Sequence, residues 1–166
     1  MPPEAPQTGA AGGAAAHHRA LERLYAAAPI NASFRSRLAI PSEGRSVIEF
    51  DIEEAHYHAA GAAHGTVYFK MLDDAAFYAA NTLVTDRFLL TTAFNLHFTA
   101  PVRCGRVRAE GQWISGRRRV FVAESRLIDD EGEEIARGTG TFMRSHIPLS
   151  GLAGYSAMIS PPDSGR

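Results

Sequence analysis

Between Thr66 and Leu83 the apolar positions recur at helical spacing on three lines at once. Val67, Met71 and Tyr78 share one line. Tyr68, Leu72, Ala75 and Ala79 share a second, and Phe69, Ala76 and Ala80 a third. A helix apolar around so much of its girth is a buried one. Its many alanines let a covering layer come close. A shorter stretch, His17 to Ala28, places Leu21, Leu24, Tyr25 and Ala28 at i, i+3, i+4 and i+7. That predicts an amphipathic helix ending at Pro29.

Elsewhere the period is two. Arg35 to Ile40 and Arg45 to Ile52 read as strands, joined by the turn residues Pro41-Ser42-Glu43-Gly44. Glu53 to Ala63, rich in Ala and His, reads as a loop. Arg87 to Thr99 sets Leu90, Phe94, Leu96 and Phe98 on alternate positions, with Thr92 among them. Arg106 to Ser115, Arg119 to Ile128 and Glu134 to Arg144 follow, with turns at Ser115-Gly116-Arg117 and Asp129-Asp130-Glu131-Gly132. The expected order is therefore helix, two strands, a long buried helix, then a four-strand antiparallel meander. A mainly antiparallel sheet covering one buried helix is an α+β domain. Residues 1–16, mostly Ala, Gly and Pro, read as a disordered segment. The domain spans 17–145, and 146–166 reads as a tail that frays toward Pro161-Pro162.

Charge and composition narrow the function classes. Among 166 residues, Lys+Arg 17 against Asp+Glu 18 leaves a formal charge of -1. No basic footprint for nucleic acid results. No run of 18 apolar residues offers a membrane span. The N-terminal stretch lacks the basic start and leucine-rich core of a secretory signal. Cys104 is the single cysteine, which excludes an internal disulfide framework and a cysteine-cluster metal site. The expectation is a cytoplasmic protein with neither nucleic acid nor membrane as partner.

Chemistry concentrates on the long helix. Asp74 has Lys70 at i-4 and can pair with it across an exposed face. Asp73 has Phe69 at i-4, Ala76 at i+3 and Phe77 at i+4, all apolar. Apolar company destabilises a carboxylate and raises its pKa, which suits a general base or nucleophile. A purely structural carboxylate, hydrogen-bonded to nearby backbone, is the other reading. The helix opens with His64-Gly65-Thr66. First-turn N–H groups lack intrahelical partners and attract polarised oxygens, and a glycine there leaves room for a substrate carbonyl. An ordinary helix start would look the same. His56, His58 and His64 could serve as zinc ligands, although loop histidines more often hydrogen-bond. Arg117-Arg118-Arg119 could grip phosphates or simply form a solvated hairpin tip.

Gly61-Ala62-Ala63-His64-Gly65, with Asp73 nine residues beyond His64, resembles the hotdog-fold acyl-CoA thioesterases, closest to their phenylacetyl-CoA and 4-hydroxybenzoyl-CoA branch. Phe94 to Pro101 with Gly105 is similar to that family's third strand and exit turn, and Asp130 to Gly138 to its last hairpin. The resemblance runs from about Arg35 to Arg144. It implies a long helix wrapped by a curved antiparallel sheet, here with an extra N-terminal helix. It also implies a homodimer, or a dimer of dimers, with the active site between subunits. Asp73 falls on the residue that activates water or attacks the thioester, Gly65 on the N–H that polarises the carbonyl, and His64 on the histidine that shapes the helix entry. Thr91 falls on a hydroxyl that some members supply from the partner subunit. Regular alternation sets Thr91 opposite Leu90 and Phe94, while a bulge would promote Thr92 instead. His58 stands where many members carry an asparagine, and Thr66 where a second glycine is common. Phe69, Phe77 and Trp113 are the expected acyl-pocket residues, and Arg103, Arg106 and Arg117 the expected holders of coenzyme A. No cofactor is implied, since coenzyme A is part of the substrate, and no metal. The rival readings are a non-catalytic acyl-CoA sensor, an enoyl-CoA hydratase or dehydratase with His64 as acid–base, and a histidine-metal hydrolase.

Overall fold

The computed structural model describes residues 8–156, with side chains from residue 12 onward. Helix α1 (Thr8–Ala27) and the short α2 (Pro29–Phe34) lead into strands β1 (Arg37–Ser42) and β2 (Arg45–Ile52). A 3-10 turn, Glu54–His56, precedes the central helix α3 (Gly65–Asn81). Then come β3 (Arg87–Phe98), β4 (Gly105–Ser115), β5 (Val120–Ile128) and β6 (Glu134–Pro148), closed by a 3-10 turn at Leu149–Gly151. The six strands form one antiparallel sheet in the order β1-β2-β4-β5-β6-β3, curved around α3.

Three expectations are corrected. Helical backbone begins at Thr8, inside the segment read as disordered; alanine has the highest helix propensity of all residues. Of that segment, residues 1–7 lie outside the described region. The meander is β4-β5-β6 only. β3 pairs with β6 across the sheet, Phe94 opposite Gly140 and Phe98 opposite Ala136, and so becomes an edge. The chain past Ser145 stays in β6 to Pro148, and Leu149 is then fully buried.

Helix α3 lies on the sheet with little between them. Ala75, Ala76, Ala79 and Ala80 on the helix are completely buried, as are Ala109, Ala123 and Ala136 on the strands. Ser46 Oγ donates to the Ala75 carbonyl at 2.5 Å, and Ser125 Oγ to the Leu72 carbonyl at 2.7 Å. At Gly111 a methyl group would overlap the Ala75 carbonyl and sit 2.6 Å from Ser46 Oγ. The serines and Gly111 thus fix the height of the helix above the sheet.

Strand β3 carries the feature that arranges the site. Leu89 is fully buried and Leu90 is 46% exposed, so the odd positions face the helix at this end. A bulge lies between Thr91 and Ala93. Beyond it the even positions face inward: Phe94 meets Phe69 edge-on with ring centroids 5.7 Å apart, and Phe98 meets Tyr68 at 5.2 Å. One inserted residue has reversed the parity of the strand. The expected shared face of Leu90 and Phe94 is therefore replaced by one shared by Leu89, Thr91 and Phe94.

Gly111→Ala should lower stability by about 1–3 kcal/mol through overpacking. At this chain length that corresponds to a fall in Tm of roughly 2–10 °C, read by thermal denaturation. An unchanged Tm would mean that the helix can rise from the sheet at no cost.

Candidate active site

Asp73 sits midway along α3, half-buried, in a cavity of about 250 Å³. Thr91 Oγ1 donates to Asp73 Oδ1 at 3.0 Å, within one chain. Thr92, the bulged residue, turns away and donates to the Thr141 carbonyl at 3.0 Å. The bulge thus keeps Thr91 at the carboxylate. Burial pushes the Asp73 pKa up to about 6, opposed chiefly by the Thr91 hydrogen bond. The cavity walls are Phe77, Tyr78, Phe88 and Leu89 on one side and Tyr25, Ala28 and Ile30 on the other. The second set comes from α1, α2 and their junction. Sequence reading missed this wall; the only signal was Tyr25 on the apolar line of the first helix, which does not say what it covers.

The other end of the helix faces a second cavity, about 410 Å³, bordered by His58, Gly65, Tyr68, Phe98 and Thr99. Here His64 is the N-cap: its Nδ1 accepts from Thr66 N at 3.1 Å and lies 3.0 Å from Thr66 Oγ1. Val67 N donates to the His64 carbonyl. Gly65 is the first helical residue, and its N–H belongs to the turn that has no intrahelical acceptor. Phe98 lies over it, 3.3 Å from where a Cβ would stand. Gly65 and Asp73 are eight residues apart, about 12 Å along the axis. They border separate cavities.

The histidines do not converge. His58 Nδ1 accepts from Ala60 N at 3.0 Å, and His56 Nδ1 from Glu53 N at 3.0 Å, with the His56 ring stacked on Phe34. Among the described residues no group of three His, Cys, Asp or Glu side chains is placed to hold a metal ion. The arginines are scattered too. Arg103 stands near the Gly65 end, 3.4 Å from the Gly61 carbonyl. Arg106 is on the outer face, paired with Asp51 at 3.0 Å. Arg117 covers the Trp113 ring at the β4–β5 hairpin. Trp113 is therefore away from Asp73, and Phe69 lies 41% exposed between the two cavities.

Asp74 departs furthest from expectation. It pairs with Lys70, but the face they occupy is covered. Lys70 is 8% exposed, Nζ donates to Asn31 Oδ1 at 2.6 Å, and it lies over the Tyr25 and Phe34 rings. Burial raises the Asp74 pKa and Lys70 opposes the rise. Lys70, held by Asp74 on its own helix, thus ties the N-terminal helices to α3 through Asn31 and the Tyr25 and Phe34 rings.

A helix wrapped by a curved six-strand antiparallel sheet is the hotdog fold, and solved structures share it. The E. coli PaaI protein from the phenylacetic acid degradation operon superposes with a TM-score of 0.72 at 18% identity, over 80% of this chain and 97% of that one. A thioesterase family protein from Silicibacter pomeroyi gives 0.71 at 26% identity, over 77% and 97%. A protein of Saccharolobus solfataricus, named for an inferred esterase activity, is 28% identical over 101 residues, 61% of this chain and 67% of that one. Residues 60–136 match the family model of the thioesterase superfamily. That stretch is similar to a superfamily whose general chemistry is thioester hydrolysis.

Two stability effects of opposite sign follow. Because the folded-state pKa of Asp73 is raised from 3.8 to about 6, folding loses stability as pH climbs through that window, and the cost is complete above it. The cost is on the order of 3 kcal/mol. Asp73→Asn should therefore raise Tm by several degrees at pH 8 and by nothing at pH 3.5. Asp74→Asn leaves Lys70 buried without its counter-charge and should cost about 3 kcal/mol at neutral pH. Thermal melts of the two variants across pH check both signs.

Proposed function

We propose that the protein hydrolyses acyl-CoA thioesters, with Asp73 as general base or nucleophile and the Gly65 N–H as oxyanion donor. The observation that carries this reading is a half-buried carboxylate of raised pKa, oriented by Thr91, opening into an apolar cavity. Water held by Asp73 attacks the carbonyl carbon, or the carboxylate attacks directly, and the thiolate of coenzyme A leaves. The developing oxyanion needs a donor, and a helix N-terminus supplies one.

A single protomer cannot bring the two groups to one carbonyl across about 12 Å. A homodimer can. β3 is a free edge, with β6 on one side only. Thr91 marks the level of Asp73 on this strand, and Phe98 marks the level of Gly65. Two copies of β3 paired antiparallel about a two-fold axis near Phe94 set Thr91 of one against Phe98 of the other. Each Asp73 then meets the partner's Gly65. Exposed Phe69, Leu90 and Phe98 lie along this seam and would be covered.

Two measurements test the reading. The acid limb of kcat/KM should have an apparent pKa near 6, activity falling below it as Asp73 takes up a proton, and Asp73→Asn should lose about 10²–10⁴ in kcat. Thiol release that is flat from pH 5 to 8 would count against Asp73. Against Gly65→Ala, which sets the same Cβ 3.3 Å from the Phe98 ring but keeps the N–H, Gly65→Pro tests the donor, since proline suits the first helical position and His64 before it is already extended (ψ 147°). It should cost about 10²–10³ in kcat with Tm nearly unchanged. Full activity in that variant would move the oxyanion site elsewhere.

A further inference from the structure

A second apolar cavity, about 280 Å³, lies beside the one that holds Asp73. Leu24 and Pro29 wall it from the N-terminal helices, Ile147 and Leu152 from the C-terminal segment. Ala28, Tyr78 and Phe88 border both cavities. No ionisable side chain apart from the Tyr78 phenol borders the second one, so a charged or heavily hydroxylated group would enter it without compensation. Its N- and C-terminal walls lie outside the 60–136 stretch that matches the superfamily. Nothing in the chemistry of Asp73 calls for them.

We propose that the two cavities form one acyl channel, entered at Asp73 and continuing past Ala28, that takes the apolar tail of a straight-chain aliphatic acyl thioester, with Ala28 as the residue that sets how long a tail is accepted. The inference rests on Asp73 being the catalytic carboxylate of the preceding section. At the junction two aromatic side chains, Tyr78 and Phe88, face an alanine. A chain one methylene wide passes such a junction more easily than a second ring. Each methylene withdrawn from water is worth roughly fourfold in binding, so the second cavity discriminates strongly by length. Ala28 caps α2 with φ −68° and ψ 125°, a conformation open to any L residue except for side-chain space. A larger side chain there should fill the junction and leave the backbone in place.

The test is a series of straight-chain acyl-CoA thioesters, two to sixteen carbons, hydrolysed by wild type and Ala28→Phe. The ratio of kcat/KM for the long members to that for the short ones should fall at least about tenfold in the variant, with the optimum moved to shorter chains. Leu152→Trp, which fills the second cavity from the C-terminal side, should shift the optimum the same way; it keeps the test alive if Ala28→Phe does not fold. Parallel profiles for wild type and both variants would overturn the channel. So would a wild type that hydrolyses aromatic acyl-CoA well and no chain beyond four carbons. Hydrolysis of nothing in the series would instead overturn the thioesterase reading. Equilibrium binding of free fatty acids to the same proteins then decides the channel: truncation of the length preference by Ala28→Phe supports it, and unaltered binding ends it.

Discussion

The close approach of α3 to the sheet is the constraint from which the remaining geometry follows. A helix held over Gly111, with its carbonyls tied down by Ser46 and Ser125, has little freedom to rotate or slide. The face it turns to the strands must be small, and the alanines supply it. The polar residues are thereby confined to the flanks. Asp73 emerges toward β3, and the Lys70–Asp74 pair emerges toward α1 and α2. The position of the carboxylate is set by residues that never touch it.

The same packing explains why Asp73 is an expensive residue to keep. A carboxylate whose proton is lost only near neutral pH destabilises the folded state wherever it is ionised. The neighbouring Asp74 is treated differently: it is matched with the Lys70 cation, which in turn donates to the Asn31 amide oxygen. Two adjacent acids thus differ by environment, one paired with a buried lysine and the other held by a single hydroxyl beside a cavity.

Much of this was legible along the chain. The three apolar lines of α3 announced a buried helix, and the apolar residues at i-4, i+3 and i+4 of Asp73 set it apart from Asp74, which has Lys70 at i-4. Strand limits followed alternation closely because turn glycines such as Gly116 and Gly132 bound them, with φ of 88° and 90°. What escaped depended on distant partners. That β3 crosses to β6 is decided by which edge is free, and no local signal in Arg87 to Phe98 carries it. The burial of Lys70 depends on Asn31, thirty-nine residues earlier. A lysine at i-4 from an aspartate looks the same on a wet face and under a helix. The alanine-rich start was read for what it could bury, whereas its backbone preference governs the outcome.

The bulge at Thr92 has a consequence for how this strand can vary. A strand of fixed parity presents one lining to its helix from end to end, so a change of needs at one point is felt along its length. A single extra residue divides β3 into two halves that are out of phase. The first half can retain a hydroxyl beside a carboxylate while the second fills space with rings, and neither half dictates the alternation of the other. The same device makes the strand intolerant of small length changes. Loss of one residue near the bulge would restore strict alternation and turn either Thr91 or the Phe94–Phe98 series to the solvent. A substitution is a local event here; a deletion would be heard along the entire strand.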